Sequence, residues 1–237
     1  MRKKWKNARV IRLLDLSSSV KGLDIQVEDE ELFEFIPGQF VTLDLPIGQK
    51  RLDRWRSYSI ANTSNKENII QLAISYIEGG RASEYFFNTL REGDILILKG
   101  PEGVFCLPKT MDKKLVMICT GSGVVPFKSM ISHISDHGIQ HNGIHLIFGT
   151  RNKEGILYKS FFEDMKLKDF EYSVALSREM YNDYQGYVHE IYESRYGEIS
   201  DNLLFYLCGW QHVIDEAEER LLSLGYKKEQ ILLELYG

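Results

Sequence analysis

The chain is short of the features that staple small or metal-dependent proteins. It has three cysteines, Cys106, Cys119 and Cys208, far apart and without a C-x-x-C pair. This argues against a disulfide framework, a zinc site and a Cys-ligated iron–sulfur cluster, and no metal is expected. No apolar run approaches the ~20 residues of a membrane helix, so no membrane partner is expected. The basic start Met1-Arg-Lys-Lys-Trp-Lys6 leads into Asn7-Ala-Arg-Val-Ile-Arg12, which lacks the apolar core of a secretory signal. A cytoplasmic location is the default. Excess positive charge is missing as well. The net charge of -5 and a pI near 5.7 argue against a general nucleic-acid binder. There is no internal repeat and no low-complexity tract.

What is present is ordinary globular material, 43% hydrophobic and 27% charged over 237 residues, enough for one large or two medium domains. Up to about residue 110, short β-prone segments alternate with turns: 10–16, 22–28, 35–45, 57–62, 69–77 and 95–100. One helical stretch, 82–90, interrupts them, with Ser83 as its N-cap. After Lys113 the pattern becomes strand, helix, strand, helix. Leu115–Cys119, Ile144–Phe148, Tyr172–Leu176, Leu203–Leu207 and Ile231–Leu235 read as strands; 126–137, 158–166 and 211–224 read as helices. The expected fold is a Greek-key antiparallel β-barrel with one helix over 1–110, then a five-stranded parallel α/β nucleotide-binding domain over 111–237. Residues 108–113 are the expected linker.

Ligands of open α/β sheets sit beyond the carboxyl ends of the strands. Unusual residues follow those ends here. Thr120-Gly121-Ser122-Gly123-Val124-Val125-Pro126 is either a structural turn or a loop whose free N–H groups favour an anion. Arg151 follows the second parallel strand, where NAD-type sites often place an acid. Ser177-Arg178 follows the third, with Tyr187 beyond; the set suits a phosphate monoester and an adenine ring. Cys208-Gly209 follows the fourth, and Glu234-Leu235-Tyr236-Gly237 ends the fifth. The carboxylate and phenol of this tail are expected on opposite faces unless the strand end twists. In the first half, Arg56-Ser57-Tyr58-Ser59 offers a guanidinium and a ring on one strand face. Ser59 points away from Tyr58 unless the strand bends. Gly80-Arg81-Ala82-Ser83 opens the lone helix and suits a second phosphate.

Together these stretches resemble the ferredoxin–NADP reductase family over nearly the whole chain. R-S-Y-S at 56–59 is similar to the family's R-x-Y-S/T flavin motif, and G-R-A-S at 80–83 to its G-x-x-S/T element. G-P-E-G-V-F at 100–105 resembles the G-P-x-G-x-F that ends the barrel. T-G-S-G-V-V-P-F at 120–127 resembles the nicotinamide-side loop. L-Y-K-S-F-F-E at 157–163, S-R-E at 177–179, C-G at 208–209 and the terminal E-L-Y complete the set. The resemblance implies that Arg56 pairs with FAD phosphates, Tyr58 lies against the isoalloxazine and Ser59 bonds near N5. It places Ser57 in the flavin motif, and Gly80, Arg81, Ala82 and Ser83 at the pyrophosphate. Thr120, Gly121, Cys208 and Gly209 belong by it to the nicotinamide end, with Cys208 near the nicotinamide C4. Glu234 belongs to a proton relay, and Tyr236 covers the flavin until nicotinamide displaces it. Ser177 and Arg178 read the adenosine 2′-phosphate and Tyr187 lies on the adenine; Arg151 is a further candidate for NADP binding from its place after the second parallel strand.

Four departures stand out. Gln185 occupies the place of a phosphate-reading Lys, Val125 replaces a small residue, Trp210 follows C-G, and Gly237 extends past the tyrosine. The resulting expectation is an FAD-dependent oxidoreductase using NADP(H), exchanging single electrons with ferredoxin or flavodoxin, as a monomer or weak homodimer. Arg2, Lys3, Lys4, Lys6, Arg51 and Arg54 are the expected docking cations for such acidic carriers. The rivals are a free-flavin reductase, an oxygenase reductase component, and a flavin-binding subunit without turnover.

Overall fold

Period-two alternation in the first half produces six antiparallel strands in the computed structural model, which describes residues 4–29, 31–182 and 184–236. They are β1 (Lys6–Ser17), β2 (Val20–Glu28), β3 (Phe40–Asp44), β4 (Trp55–Ser59), β5 (Ile69–Ser75) and β6 (Ile95–Glu102), in the order β4-β3-β6-β1-β2-β5. Alternate residues such as Ala8 and Val10, Leu23, Ile25 and Val27, and Leu96 and Leu98 turn inward to one core. The two edge strands meet just beyond β4. The Ala61 N–H donates to Gln71 O at 2.8 Å, and Asn62 Nδ2 donates to Ile69 O at 2.9 Å while its Oδ1 accepts from the Gln71 N–H at 2.9 Å. This closes the barrel expected from the sequence.

A four-residue helix, α1 (Arg51–Arg54), precedes β4 and was not expected. The lone helix of this half begins as α2 (Arg81–Glu84) and widens into a π-helical turn over Tyr85–Thr89. Its N-cap is Gly80, not Ser83. The Ser83 hydroxyl instead accepts from the Ile77 N–H at 2.8 Å, holding the incoming turn. The wide turn carries Phe86 and Leu90 into the barrel core.

The second half holds β7 (Lys114–Thr120), α3 (Val125–His137), β8 (Ile144–Thr150), α4 (Lys159–Glu163), β9 (Phe170–Leu176), α5 (Val188–Tyr196), β10 (Leu203–Trp210), α6 (Gln211–Leu224) and β11 (Ile231–Tyr236). All five strands are parallel, in the order β11-β10-β7-β8-β9. The central strands are near-continuous apolar runs; α5 and α6 pack on one face, and Phe162 of α4 packs on Tyr172 of β9. α6 spans the expected residues, and α4 is shorter than expected. α5 was not expected. Its buried Val188, Tyr192 and Tyr196 recur every four residues among charged neighbours, a weak stripe in a polar helix.

The chain divides into two compact units. One comprises the described residues up to Leu107 with Val125–His133; the other comprises Pro108–Val124 and the described residues from Ile134. Among the described residues no helix is long and apolar enough to cross a membrane.

Candidate functional site

In the α/β unit, the strand order runs outward from β7 to β9, then returns to the other side of β7 for β10 and β11. The crevice at this reversal is where such sheets bind ligands. The ends of β7 and β10 carry Cys119-Thr120-Gly121 and Cys208-Gly209. Register places Cys119, Cys208 and Glu234 in one row across β7, β10 and β11, so their side chains leave the same sheet face. The backbone comes very close here. A Cβ added to Gly123 would lie 2.2 Å from Cys208 O, and one added to Gly209 (φ +156°) would lie 2.8 Å from Thr120 Oγ1. Only glycine keeps this cradle open. The Thr120 hydroxyl oxygen is buried without a hydrogen-bond partner. Such an orphan invites an outside polar group.

Burial pushes the Glu234 carboxyl up to about 7. Burial also pushes the Cys208 thiol well up; the Glu234 carboxylate beside it adds to this, and a hydrogen bond with Tyr236 opposes it. Cys208 is therefore a neutral thiol, not a thiolate nucleophile. The expectation that Glu234 and Tyr236 face opposite ways is corrected. Residues two apart on a strand share a face, and both interact with Cys208. Gly237 lies outside the described residues.

At the neighbouring strand ends, the Ser177 N–H donates to Thr150 O at 3.1 Å and the Arg178 N–H to Arg151 O at 2.9 Å. Arg151, Ser177 and Arg178 are thus brought together. Both arginines are exposed, and among the described residues neither forms an ion pair. Tyr187 is 58% exposed and stacks on His189 with ring centroids 5.6 Å apart and planes 8° from parallel. Gln185 donates to Ser177 O at 3.4 Å.

In the barrel unit, Arg56 Nη1 donates to Trp55 O at 2.7 Å and Leu52 O at 3.1 Å. Its Nε and Nη2 have no partner among the described residues, so the guanidinium is anchored at one corner and open at the others. Tyr58 packs edge-on against Phe86, ring centroids 5.6 Å apart, and burial pushes its phenol up. Ser57 shares a 3.1 Å hydrogen bond with Thr42. Ser59 is buried and pairs with Phe40, while Tyr58 pairs with Val41. Within β4 the regular register keeps Ser59 on the face opposite Tyr58; the strand ends there. The first turn of α2 has no side-chain cap, which leaves its N–H groups to an outside acceptor. Ala82 packs on the core, and Arg81 is held by Asp53 Oδ1 at 2.8 Å and Ile47 O at 3.0 Å.

Sequence reasoning missed Asp53, whose carboxylate is held low by Arg81, and the buried Ser129, which donates to Asn62 O at 2.6 Å. An R-x-Y-S motif does not announce either one. Four of the expected docking cations lie among the described residues. Lys6 pairs with Asp29, and Arg54 pairs with Asp44 at 2.8 Å. Arg51 lies over the Trp55 ring at 5.5 Å, and Lys4 is exposed. Arg2 and Lys3 lie outside the described residues.

The donors present fit the cofactors implied by the resemblance. An open guanidinium and an uncapped helix start suit a pyrophosphate, and the glycine cradle with its orphan hydroxyl suits a flat amide-bearing ring. Residues 7–106 match the family described as oxidoreductase FAD-binding domain, and residues 117–219 the family described as oxidoreductase NAD-binding domain. The phenol hydroxylase P5 protein of Acinetobacter pittii is 31% identical over 91% of this chain and 61% of its own length. Ferredoxin--NADP reductase B of Sorangium cellulosum is 28% identical over 97% of this chain and 96% of its own. The fold is shared with a ferredoxin NADP+ reductase from Neisseria gonorrhoeae solved with bound FAD and NADP, at a TM-score of 0.82, 20% identity and 98% of both chains. This chain spans between half and two thirds of several curated relatives, 53% of one dioxygenase electron transfer component for instance. With both domain families matched in this order on this fold, the chain belongs to the ferredoxin–NADP reductase-like family of FAD- and NAD(P)-binding oxidoreductases.

Proposed function

We propose that the protein is a cytoplasmic FAD-dependent reductase that exchanges hydride with NADP(H) and single electrons with a carrier such as ferredoxin or flavodoxin. The observation that carries this reading is the switch-point cradle. There a neutral Cys208, a carboxyl titrating near neutrality and an orphan Thr120 hydroxyl converge where glycine alone fits. Bound FAD supplies the hydride acceptance and one-electron release that side chains cannot.

The chain's own residues bind and orient. Arg56 grips phosphate through its open nitrogens, and the α2 start, Gly80 to Ser83, takes the pyrophosphate. Tyr58 offers its ring to the flavin, and Ser59 a hydroxyl to the reactive edge. In the α/β unit, Thr120 Oγ1 meets the nicotinamide carboxamide, Gly121 and Gly209 allow close approach, and Cys208 packs against the ring. Glu234 holds a proton that it can release near pH 7. Tyr236 occupies the nicotinamide position until the coenzyme arrives. Arg178, Ser177 and Arg151 take the 2′-phosphate, and Tyr187 exchanges its His189 stack for adenine. Arg51 and Lys4 attract an acidic carrier. Reversing both charges weakens the salt dependence of carrier reduction; an unchanged dependence removes this surface.

A second reading keeps the chemistry and directs electrons toward an oxygenase. The P5 protein of phenol hydroxylase and the reductase component of phenol 2-monooxygenase, both similar to this chain, favour it. Steady-state kinetics with NADPH and NADH against ferredoxin, flavodoxin and free flavins separates the readings. Colourless protein that cannot be reconstituted with FAD overturns the enzyme reading and leaves a binding subunit.

A further inference from the structure

Cys119 and Cys208 stand directly opposite one another on the adjacent strands β7 and β10. Neighbouring strands lie about 4.7–4.9 Å apart. That spacing falls inside the roughly 4.4–6.8 Å between the Cα atoms of a disulfide. Both are free, buried thiols, close enough that ionising Cys208 opposes ionising Cys119. The Gly121–Val124 turn packs its Gly123 against the Cys208 carbonyl, and a Cβ on Gly121 would meet nothing within 4 Å. Beside Cys208 runs β11, an edge strand whose Glu234 and Tyr236 are only half-buried. Opening of this strand end would admit water and a small solute to Cys208, and rehydration would relieve the burial that keeps its thiol neutral, giving the thiolate that attacks a peroxide.

We propose that Cys119 and Cys208 form an oxidation site at which a peroxide links them into a cross-strand disulfide and closes the switch-point cradle. Two S–H bonds and the peroxide O–O bond break; one S–S bond and two O–H bonds form. The sulfurs are oxidised, the peroxide oxygens are reduced, and two waters leave. Relaxed disulfides bring the Cβ atoms to about 3.8 Å, so the link pinches two central strands; such strain makes a disulfide easier to reduce. The modification is therefore reversible by thiols. Its effect on turnover rests on the reading of Cys208 at the nicotinamide position; the link itself does not.

The test treats the full chain with hydrogen peroxide, denatures it and counts thiols. The titre falls from three to one, leaving Cys106. Peptide mapping joins 119 to 208, and dithiothreitol restores all three thiols. A titre that stays at three, a link through Cys106, or sulfinic acid without a link overturns the proposal. In Cys119→Ser no intramolecular disulfide forms; one that still forms overturns it too. NADPH turnover falls in proportion to the linked fraction. If the link forms and turnover survives, the oxidation site stands, and the role given to Cys208 above fails instead.

Discussion

The two units place their chemistry differently. In the barrel, Arg56, Tyr58 and Ser59 lie along a strand; Arg56 is held by carbonyls of its own segment, Tyr58 by packing on Phe86, and Ser59 lies opposite Phe40 of β3. In the α/β unit, Thr120, Cys208 and Gly209 sit at strand ends, fixed by backbone approach. Charge does not separate them: among the candidate-site arginines Arg81 is paired with Asp53, whereas Arg56 in the barrel and Arg151 and Arg178 at the strand ends form no ion pair among the described residues. An antiparallel barrel encodes a site by which residue faces which way, so one substituted side chain alters one contact. A parallel sheet encodes it by topology, so the main chain itself is the limiting element.

The sharpest way to break this comparison is Gly123→Ala. A single methyl would sit 2.2 Å from Cys208 O and 2.6 Å from its carbonyl carbon, both backbone atoms of a central strand. Overpacking of this kind costs about 3 kcal/mol, and the loop must shift away from the cradle. Denaturant unfolding and coenzyme titration should both register the loss. Unchanged stability and affinity would mean that the backbone approach is not limiting.

Two arginine deletions sharpen the contrast with a smaller effect. Arg178→Ala should raise the KM for NADPH far more than that for NADH, by the about 1.5–3 kcal/mol of a lost charge-assisted contact. Equal effects would remove Arg178 from the 2′-phosphate role. Arg56→Ala should cost a similar about 1.5–3 kcal/mol in FAD affinity and leave nicotinamide binding alone. The measurement is flavin release on dilution. If each deletion disturbs both ligands, the division of labour between the units is wrong.

Much of this was legible because the relevant physics is local. Continuous apolar runs identify β7 and β8, and topology alone makes the residues that follow them candidates for a site. Arg56 and Tyr58 were legible from strand period. The same period was misapplied to Glu234 and Tyr236, which are two apart and share a face. α5 escaped because its apolar stripe is a single row of Val188, Tyr192 and Tyr196. Ser83 escaped because a hydroxyl at a helix start resembles a cap, and only the tertiary turn reveals Ile77 as its donor. The pairing of Lys6 with Asp29 could not be read because it joins residues separated by two strands.

The smallest expected effect separates topology from side chain within one residue. Glu234 owes its raised carboxyl to burial at an edge strand, and its folded value of about 7 exceeds the ordinary 4.5. Between those limits the folded protein keeps a proton that the unfolded chain has released, so stability falls as pH rises through the window and stays lower above it. Glu234→Gln removes the ionisation. Below the window it should match the wild type; above it, it should be more stable by about 1–2 kcal/mol, less than the full shift because the side chain is only half-buried. The reductase rate of the variant should lose any limb of its pH profile near neutrality. If thermal unfolding of the two proteins runs parallel from acid to alkaline pH, burial does not hold the Glu234 proton. The carboxyl is then solvated at the strand edge, and the α/β unit, like the barrel, relies on ordinary side-chain contacts.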